Sequence, residues 1–275
     1  MTEFAPLVAP LFVPATRTDR ISKAAQSGTD AIIVDLEDAV PAQDKVAARS
    51  GFKEWLATEA GSVPVPIYVR INAVGSLWFT DDLAFVRSAG VAGIMLPKTE
   101  RAEDILAVGE DLNVIGLIES AAGIVSLPEI CGASNLRQLA FGSIDYALDL
   151  GCSEDRDALL LARLSIVTHS RARGLPAPVD GVTVSVKDAN LIRSDAEYAK
   201  RLGFGGKLSI HPNQIPILTA SFHPSEADVT WARAICRLEK ESKGAAILFD
   251  GCMVDTPVIE KARRILDRTG LTGAT

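Results

Sequence analysis

The chain is poor in the residues that build metal-sulfur or disulfide frameworks. It has 4 cysteines and 3 histidines in 275 residues, and aromatic side chains make up only 5%. Cys131, Cys152, Cys236 and Cys252 lie far apart with no Cys-x-x-Cys spacing, and His169, His211 and His223 form no paired pattern. This argues against a disulfide scaffold or a zinc site, and reduced thiols fit a cytoplasmic compartment. A basic excess is also missing, since 28 Lys+Arg stand against 35 Asp+Glu for a net charge of −7. A nucleic-acid platform is therefore not expected. Long apolar runs are absent too: the stretch 5–14 is broken by Pro6 and Pro10 and is too short to cross a bilayer, so no membrane partner is expected. What is present is 48% hydrophobic and 23% charged residues, the composition of a globular chain with a large core.

The recurring unit is a short apolar run followed by an amphipathic stretch, which is βα repetition. Strands are predicted at 11–14, 31–35, 67–71, 93–97, 114–118, 138–141, 177–182 and 206–210. Helical patterns cover 19–27, 45–59, 81–89, 102–110, 157–173 and 187–202, and Gly28, Gly90, Gly174 and Gly203 stand where left-handed caps would end four of them. Eight such strands in an α/β chain of this length point to a (β/α)8 TIM barrel, although an open doubly wound sheet gives the same local pattern. The expected domains are a barrel over 1–222 and a C-terminal helical extension over 223–275, a candidate oligomer contact or active-site lid. Its helical patterns are 225–242 and 257–267, flanking the segment 245–255.

A barrel builds its site at the carboxyl ends of its strands, and these ends are polar. They carry Asp35, Glu37 and Asp38; Arg70 and Asn72; Lys98; Glu119; Asp145; Asp180; and His211. Glu119 and Asp145, from consecutive strands, supply the hard oxygen donors that suit Mg²⁺, while each alone would equally serve as a helix cap. Arg70 could neutralise an oxyanion or grip a carboxylate, and could also pair with Asp35 or Glu37. The acids at 35, 37 and 38 are expected to diverge, one towards the site and one capping a helix, because strand neighbours alternate faces. Lys98 among carboxylates is expected to pair charges rather than act as a nucleophile. His211 reads equally well as an acid–base group or a structural residue. Arg17, Arg20 and Lys23, at intervals of three, would share one helix face and either meet phosphates or face solvent.

The segments LFVPATRTDR (11–20), AIIVDLEDAV (31–40), YVRIN (68–72), GIMLPK (93–98), GLIESAAG (116–123), FGSIDYALDLG (141–151), GFGGKLSIHPNQI (203–215) and DGCMVDTP (250–257) occur in this order. Together they resemble the HpcH/HpaI aldolase and citrate lyase β-subunit superfamily, particularly its CitE-like branch of malyl-CoA and citramalyl-CoA lyases. The resemblance implies a (β/α)8 barrel, a homo-oligomer (trimer or hexamer), and Mg²⁺-dependent reversible cleavage of a hydroxyacyl-CoA thioester into a 2-oxo acid and an acyl-CoA. Thioester hydrolysis or malate-synthase-like condensation could use the same site, and a non-catalytic acyl-CoA or 2-oxo acid binding protein is the reading of another class. The positions matching the family's metal ligands are Glu119 and Asp145, and Arg70 matches its substrate arginine. Asp255 matches the tail aspartate often contributed to a neighbouring subunit, here assigned proton transfer. Arg17, Arg20 and Lys23 match the basic first helix associated with CoA, while Pro14-Ala15 stands where relatives commonly read Pro-Gly.

Overall fold

Runs such as Ile32-Ile33-Val34 leave no polar position in alternation, so they demand cover on both faces. The structure, a computed structural model describing residues 4–242, 247–250 and 252–267, supplies that cover. Its parallel strands are β1 (Leu11–Pro14), β2 (Ile32–Asp35), β3 (Ile67–Arg70), β4 (Gly93–Leu96), β5 (Val114–Ile118), β6 (Leu136–Phe141), β7 (Val179–Asp180) and β8 (Gly206–Lys207). They form one eight-stranded sheet in sequential order. The sheet curls. Alternate residues meet on its inner face, where Ile33, Tyr68, Met95, Ile115, Leu117, Ala140, Val179 and Leu208 form one apolar cluster with Leu7.

The first and last strands are also tied to each other. Phe12 N–H donates to Ser209 O at 2.9 Å, Ser209 N–H to Pro10 O at 3.0 Å, and Lys207 N–H to Val8 O at 2.8 Å. At this contact Gly206 lies so close to Val8 that a Cβ would collide with the Val8 backbone, which explains a residue without a side chain there.

Helices connect the strands: α1 (Ile21–Ala25), α2 (Lys45–Glu59), α3 (Phe79–Ala89), α4 (Ala102–Leu106), α5 (Ala121–Val125), α6 (Leu127–Ile130), α7 (Ser143–Leu150), α8 (Leu160–Ala172) and α9 (Ala189–Leu202). Gly90 and Gly203 end α3 and α9 at φ 67° and 104°, as left-handed caps require. Two helical expectations are corrected. The first does not span 19–27; a 3-10 segment, Ala15–Arg20, precedes α1, and Arg17 within it is non-helical (φ −126°, ψ 51°). The pattern at 102–110 ends early, α4 stopping at Leu106 before Gly109 (φ 87°).

Contacts divide the chain after Thr219, within α10 (Ile215–Phe222). The smaller unit contains α11 (Glu226–Ser242), an antiparallel hairpin of β9 (Ile247–Phe249) and β10 (Cys252–Val254), and α12 (Thr256–Asp267). Ala232, Ile235, Val254 and Ala262 form its core, with Trp231 and Phe249 packed around them. The helical patterns at 225–242 and 257–267 correspond to α11 and α12, and part of the segment 245–255 lies outside the described residues. Among the described residues no helix is long and apolar enough to cross a membrane.

Candidate active site

Strand β2 ends at Asp35, and with it ends the alternation that would have sent its acids apart. All three turn to Arg70 at the end of β3, which correct the expected divergence: Arg70 lies 2.6 Å from Asp35, 3.1 Å from Glu37 and 3.3 Å from Asp38. Asp35 makes two of these bonds itself, from Arg70 Nε at 2.8 Å and Nη2 at 2.6 Å. It also accepts the backbone N–H groups of Glu37 and Ala39, so one carboxylate both anchors the arginine and shapes the loop. The Glu37 Oε2 contact is an ion pair without hydrogen-bond alignment, leaving that buried oxygen unbonded.

Two residues not singled out for the site support this loop from below. Buried Lys45 donates to Leu36 O at 2.8 Å and Glu37 O at 3.0 Å, and Asn72, noted only as polar, donates to Leu36 O at 3.1 Å. Nothing local in the sequence marks Lys45, because its partners lie in the preceding loop. The Phe12 ring stands 4.9 Å from the Arg70 guanidinium, adding a cation–π contact. Burial works against the Arg70 charge, but Asp35, Glu37 and Asp38 outweigh it and hold the guanidinium above its ordinary value.

Glu119 follows β5 and is 4% exposed, yet it caps no helix; Ser120 performs that task for α5. Its Oε1 accepts the Lys98 N–H at 2.7 Å, and Lys98 takes the left-handed region (φ 49°) at that contact. The Lys98 ammonium lies 3.5 Å from Glu37, and Glu37, Asp38 and Glu119 raise its pKa against the opposing effect of burial. On its other side Glu119 passes over Gly142, where a Cβ would meet Oε2 at 2.5 Å and the Glu119 Cβ at 2.6 Å. Asp145 lies in the first turn of α7 rather than ending β6, half-buried.

Burial pushes the Glu119 carboxyl up to about 8, with Glu37 and Asp145 adding to the rise and the Lys98 N–H opposing it. Burial likewise lifts Asp145, and Glu37 rises to about 7 despite Arg70. Asp35, Glu37 and Asp38 have Arg70 as counter-ion, whereas Glu119 and Asp145 have no ion pair among the described residues. Among those residues no cluster of three or more Asp, Glu, His or Cys forms a complete metal cage. Two carboxylates facing one cavity fit a hard cation whose remaining ligands are water and substrate oxygens.

That cavity has a volume of about 480 Å³, within the usual range for small-molecule sites. Arg70, Glu119 and Asp145 share its lining with Phe12, Phe141 and Leu208. Other expected residues lie elsewhere. Arg17, Arg20 and Lys23 are exposed, but the break at Arg17 removes the single helix face expected for them, and Arg17 pairs with Asp19 at 2.8 Å. His211 Nδ1 accepts the Asn213 N–H at 3.1 Å and caps a 3-10 turn. Asp180 is buried between Arg163 at 2.9 Å and Lys207 at 3.0 Å. Exposed Asp255 accepts the Val258 N–H at 3.3 Å at the start of α12.

Residues 9–212 match the sequence model of the HpcH/HpaI aldolase/citrate lyase family. The chain belongs to this family. Within it, the chain is 35% identical to a citrate lyase subunit beta-like protein of Deinococcus radiodurans, the match covering 93% of this chain and 95% of that protein. It is 34% identical to a (3S)-malyl-CoA thioesterase of Cereibacter sphaeroides, over 93% of this chain and 92% of the relative. Among solved structures, the CitE protein of Mycobacterium tuberculosis in complex with magnesium, acetoacetate and coenzyme A superposes with a TM-score of 0.83 at 32% identity, covering 97% of this chain and 99% of that one.

Proposed function

We propose that this member of the HpcH/HpaI aldolase/citrate lyase family is a Mg²⁺-dependent carbon–carbon lyase acting on a hydroxyacyl-CoA thioester such as malyl-CoA or citramalyl-CoA. The observation that carries the reading is the meeting of Arg70 with Glu119 and Asp145 in one cavity, the two acids having no ion pair among the described residues and standing beside a fixed guanidinium. The family's solved relative with magnesium and coenzyme A supports the choice of cation and substrate class. The same reading takes the sheet as a closed (β/α)8 barrel, for which the bonds between β1 and Ser209 argue.

Glu119 and Asp145 would hold the cation, with Lys98 N–H fixing one Glu119 oxygen and Gly142 leaving room for the other. When bound, Mg²⁺ supplies Lewis acidity and a template for the carboxylate and adjacent oxygen of the oxo-acid half. Arg70 stabilises negative charge on the reacting oxygen, and its acid partners hold the guanidinium in place before substrate arrives. In cleavage a carboxylate base takes the hydroxyl proton, the carbon–carbon bond breaks to give the 2-oxo acid, and the same carboxyl group returns the proton to the acyl-CoA enolate left behind. We assign this proton transfer to Asp255, exposed on the smaller unit and contributed to a neighbouring copy.

Arg17, Arg20 and Lys23 are assigned to the CoA phosphates, their exposure leaving them open to a large anion. A cytoplasmic homo-oligomer, a trimer or hexamer, belongs to the same proposal. Strongly exposed Val125, Leu148 and Leu161, on α5, α7 and α8, support self-association, and four free cysteines fit a reducing compartment.

A thioesterase outcome is the second reading, favoured by the Cereibacter sphaeroides relative. One experiment separates the two. The protein is incubated with malyl-CoA, citramalyl-CoA, hydroxymethylglutaryl-CoA and citryl-CoA, with Mg²⁺ or with EDTA, and 2-oxo acid and free CoA are measured separately. Metal-dependent oxo acid supports the lyase, free CoA without oxo acid supports hydrolysis, and neither product from any substrate overturns both.

A further inference from the structure

A second cavity, of about 130 Å³, lies beside the buried cluster Arg163–Asp180–Lys207 and takes no part in the chemistry above. It borders the larger cavity through Ser143 and Val182, which line both. Six charged residues face it: Glu154, Arg156, Arg163, Asp180, Asp195 and Lys207. Arg156 and Asp195 satisfy each other at 3.0 Å, and Glu154 is exposed to solvent. That leaves Arg163 and Lys207, with side chains 9% and 3% exposed, sharing the single carboxylate of Asp180, 1% exposed. Two cations to one anion is a buried excess of one positive charge, an arrangement that costs several kcal/mol when nothing offsets it.

Arg163 spends its Nε on Asp180, while its buried Nη1 has no hydrogen-bond partner among the described residues. The Phe141 and Tyr198 rings, 5.5 and 5.7 Å from the guanidinium carbon, attract the cation but provide no oxygen for that N–H. The adjoining space holds about four water-sized groups at roughly 30 Å³ each. It is lined on its apolar side by Val182, Val184 and Leu191.

We propose that this cavity binds a short-chain monocarboxylate, its oxygens against Arg163 and Lys207 and its alkyl end against Leu191. One negative charge balances the cluster, a planar carboxylate matches the guanidinium fork, and an acetate-sized molecule fills the volume. The site is independent of the lyase reading, because neither Arg70 nor the two acids Glu119 and Asp145 line it.

The test is calorimetric titration of the metal-free protein with sodium acetate at constant ionic strength, with chloride and inorganic phosphate as comparison anions. Acetate should bind saturably and more tightly than chloride or phosphate. Lys207→Met, which removes the excess charge, should weaken acetate by about tenfold or more, the worth of one charge-assisted hydrogen bond, and Leu191→Phe, which fills the space from the half-open side, should weaken it at least as much by occupying the volume of the alkyl end. Arg70→Gln should leave the acetate affinity unchanged. Should Lys207→Met fail to fold, Leu191→Phe decides alone. The proposal is overturned by absence of saturable acetate binding, by chloride or phosphate binding as tightly, by full affinity in Leu191→Phe, or by loss of binding in Arg70→Gln, which would assign the ion to the larger cavity.

Discussion

Arg70 is held from three directions by carboxylates, so its planar fork matters as much as its charge. Arg70→Lys keeps the charge and loses the fork, and kcat should fall about 10²–10³-fold. Steady-state kinetics on the substrate identified by the panel provides the check. Glu119 and Glu37 predict a pH dependence. Their folded-state pKa values are raised to about 8 and about 7. An unfolded chain loses these protons near the ordinary glutamate value of about 4.3, so above that pH the folded protein binds more protons than the unfolded one. Stability of the metal-free protein should therefore fall as pH rises through this window. Melting at about pH 5.5 and about pH 8 tests it, and MgCl₂ should raise Tm more at the higher pH, where fewer protons compete for the carboxylates. At this scale Arg70, Glu119 and Asp145 were legible as polar residues following apolar runs. Lys45 and Arg163 were not, since each acquires its role from partners that no local spacing reveals.

Among the elements, the junction of β6 with α7 sets the room around Glu119. Gly142→Ala puts a methyl group into the Glu119 side chain and should weaken Mg²⁺ about 10–100-fold. Mn²⁺ titration followed by EPR measures this, with thermal melting to separate it from general destabilisation. At the ends of β7 and β8, Asp180→Asn leaves two buried cations without their carboxylate and should cost about 3–5 kcal/mol, read from urea unfolding. The first six strands were legible because an apolar run of four or five residues has few other uses in a chain that alternates with helices, whereas β7 and β8 are two residues each, shorter than the expected 177–182 and 206–210. Helices α5 and α6 were not, being five and four residues long and therefore too short to display a period. Helix α7 was hidden by the same residue that marks the site. The expected strand stops at residue 141 with Asp145 among the polar residues that follow it, and no helix is expected there, whereas Asp145 occupies the first turn of a helix that starts two residues earlier. The acids after β2 misled for a related reason: alternation governs a strand, and theirs had already ended.

For the whole molecule, the assignment of Asp255 to a neighbouring copy predicts complementation. Glu119→Ala and Asp255→Ala homo-oligomers should each be inactive, and subunits mixed under exchange should recover activity through sites that combine one subunit's intact Glu119 with another's intact Asp255. Turnover of the mixture against its parents checks this, and inactivity of the mixture despite proven subunit exchange would remove Asp255 from the reaction. The overall architecture was legible as eight strand–helix repeats, but the bonds joining the two ends of the sheet were not, because no local pattern records a contact between segments about 200 residues apart. That contact also sets a schedule for synthesis. Ser209 Oγ bonds to Pro10 O across 199 residues, and the neighbouring backbone pairs span nearly the same distance. At ribosomal rates of about 5–20 residues per second, the outer edge of β1 waits roughly 10–40 s for its second partner. Throughout that interval the nascent chain carries an open strand edge, so a chaperone that shields this edge would act on the segment translated first.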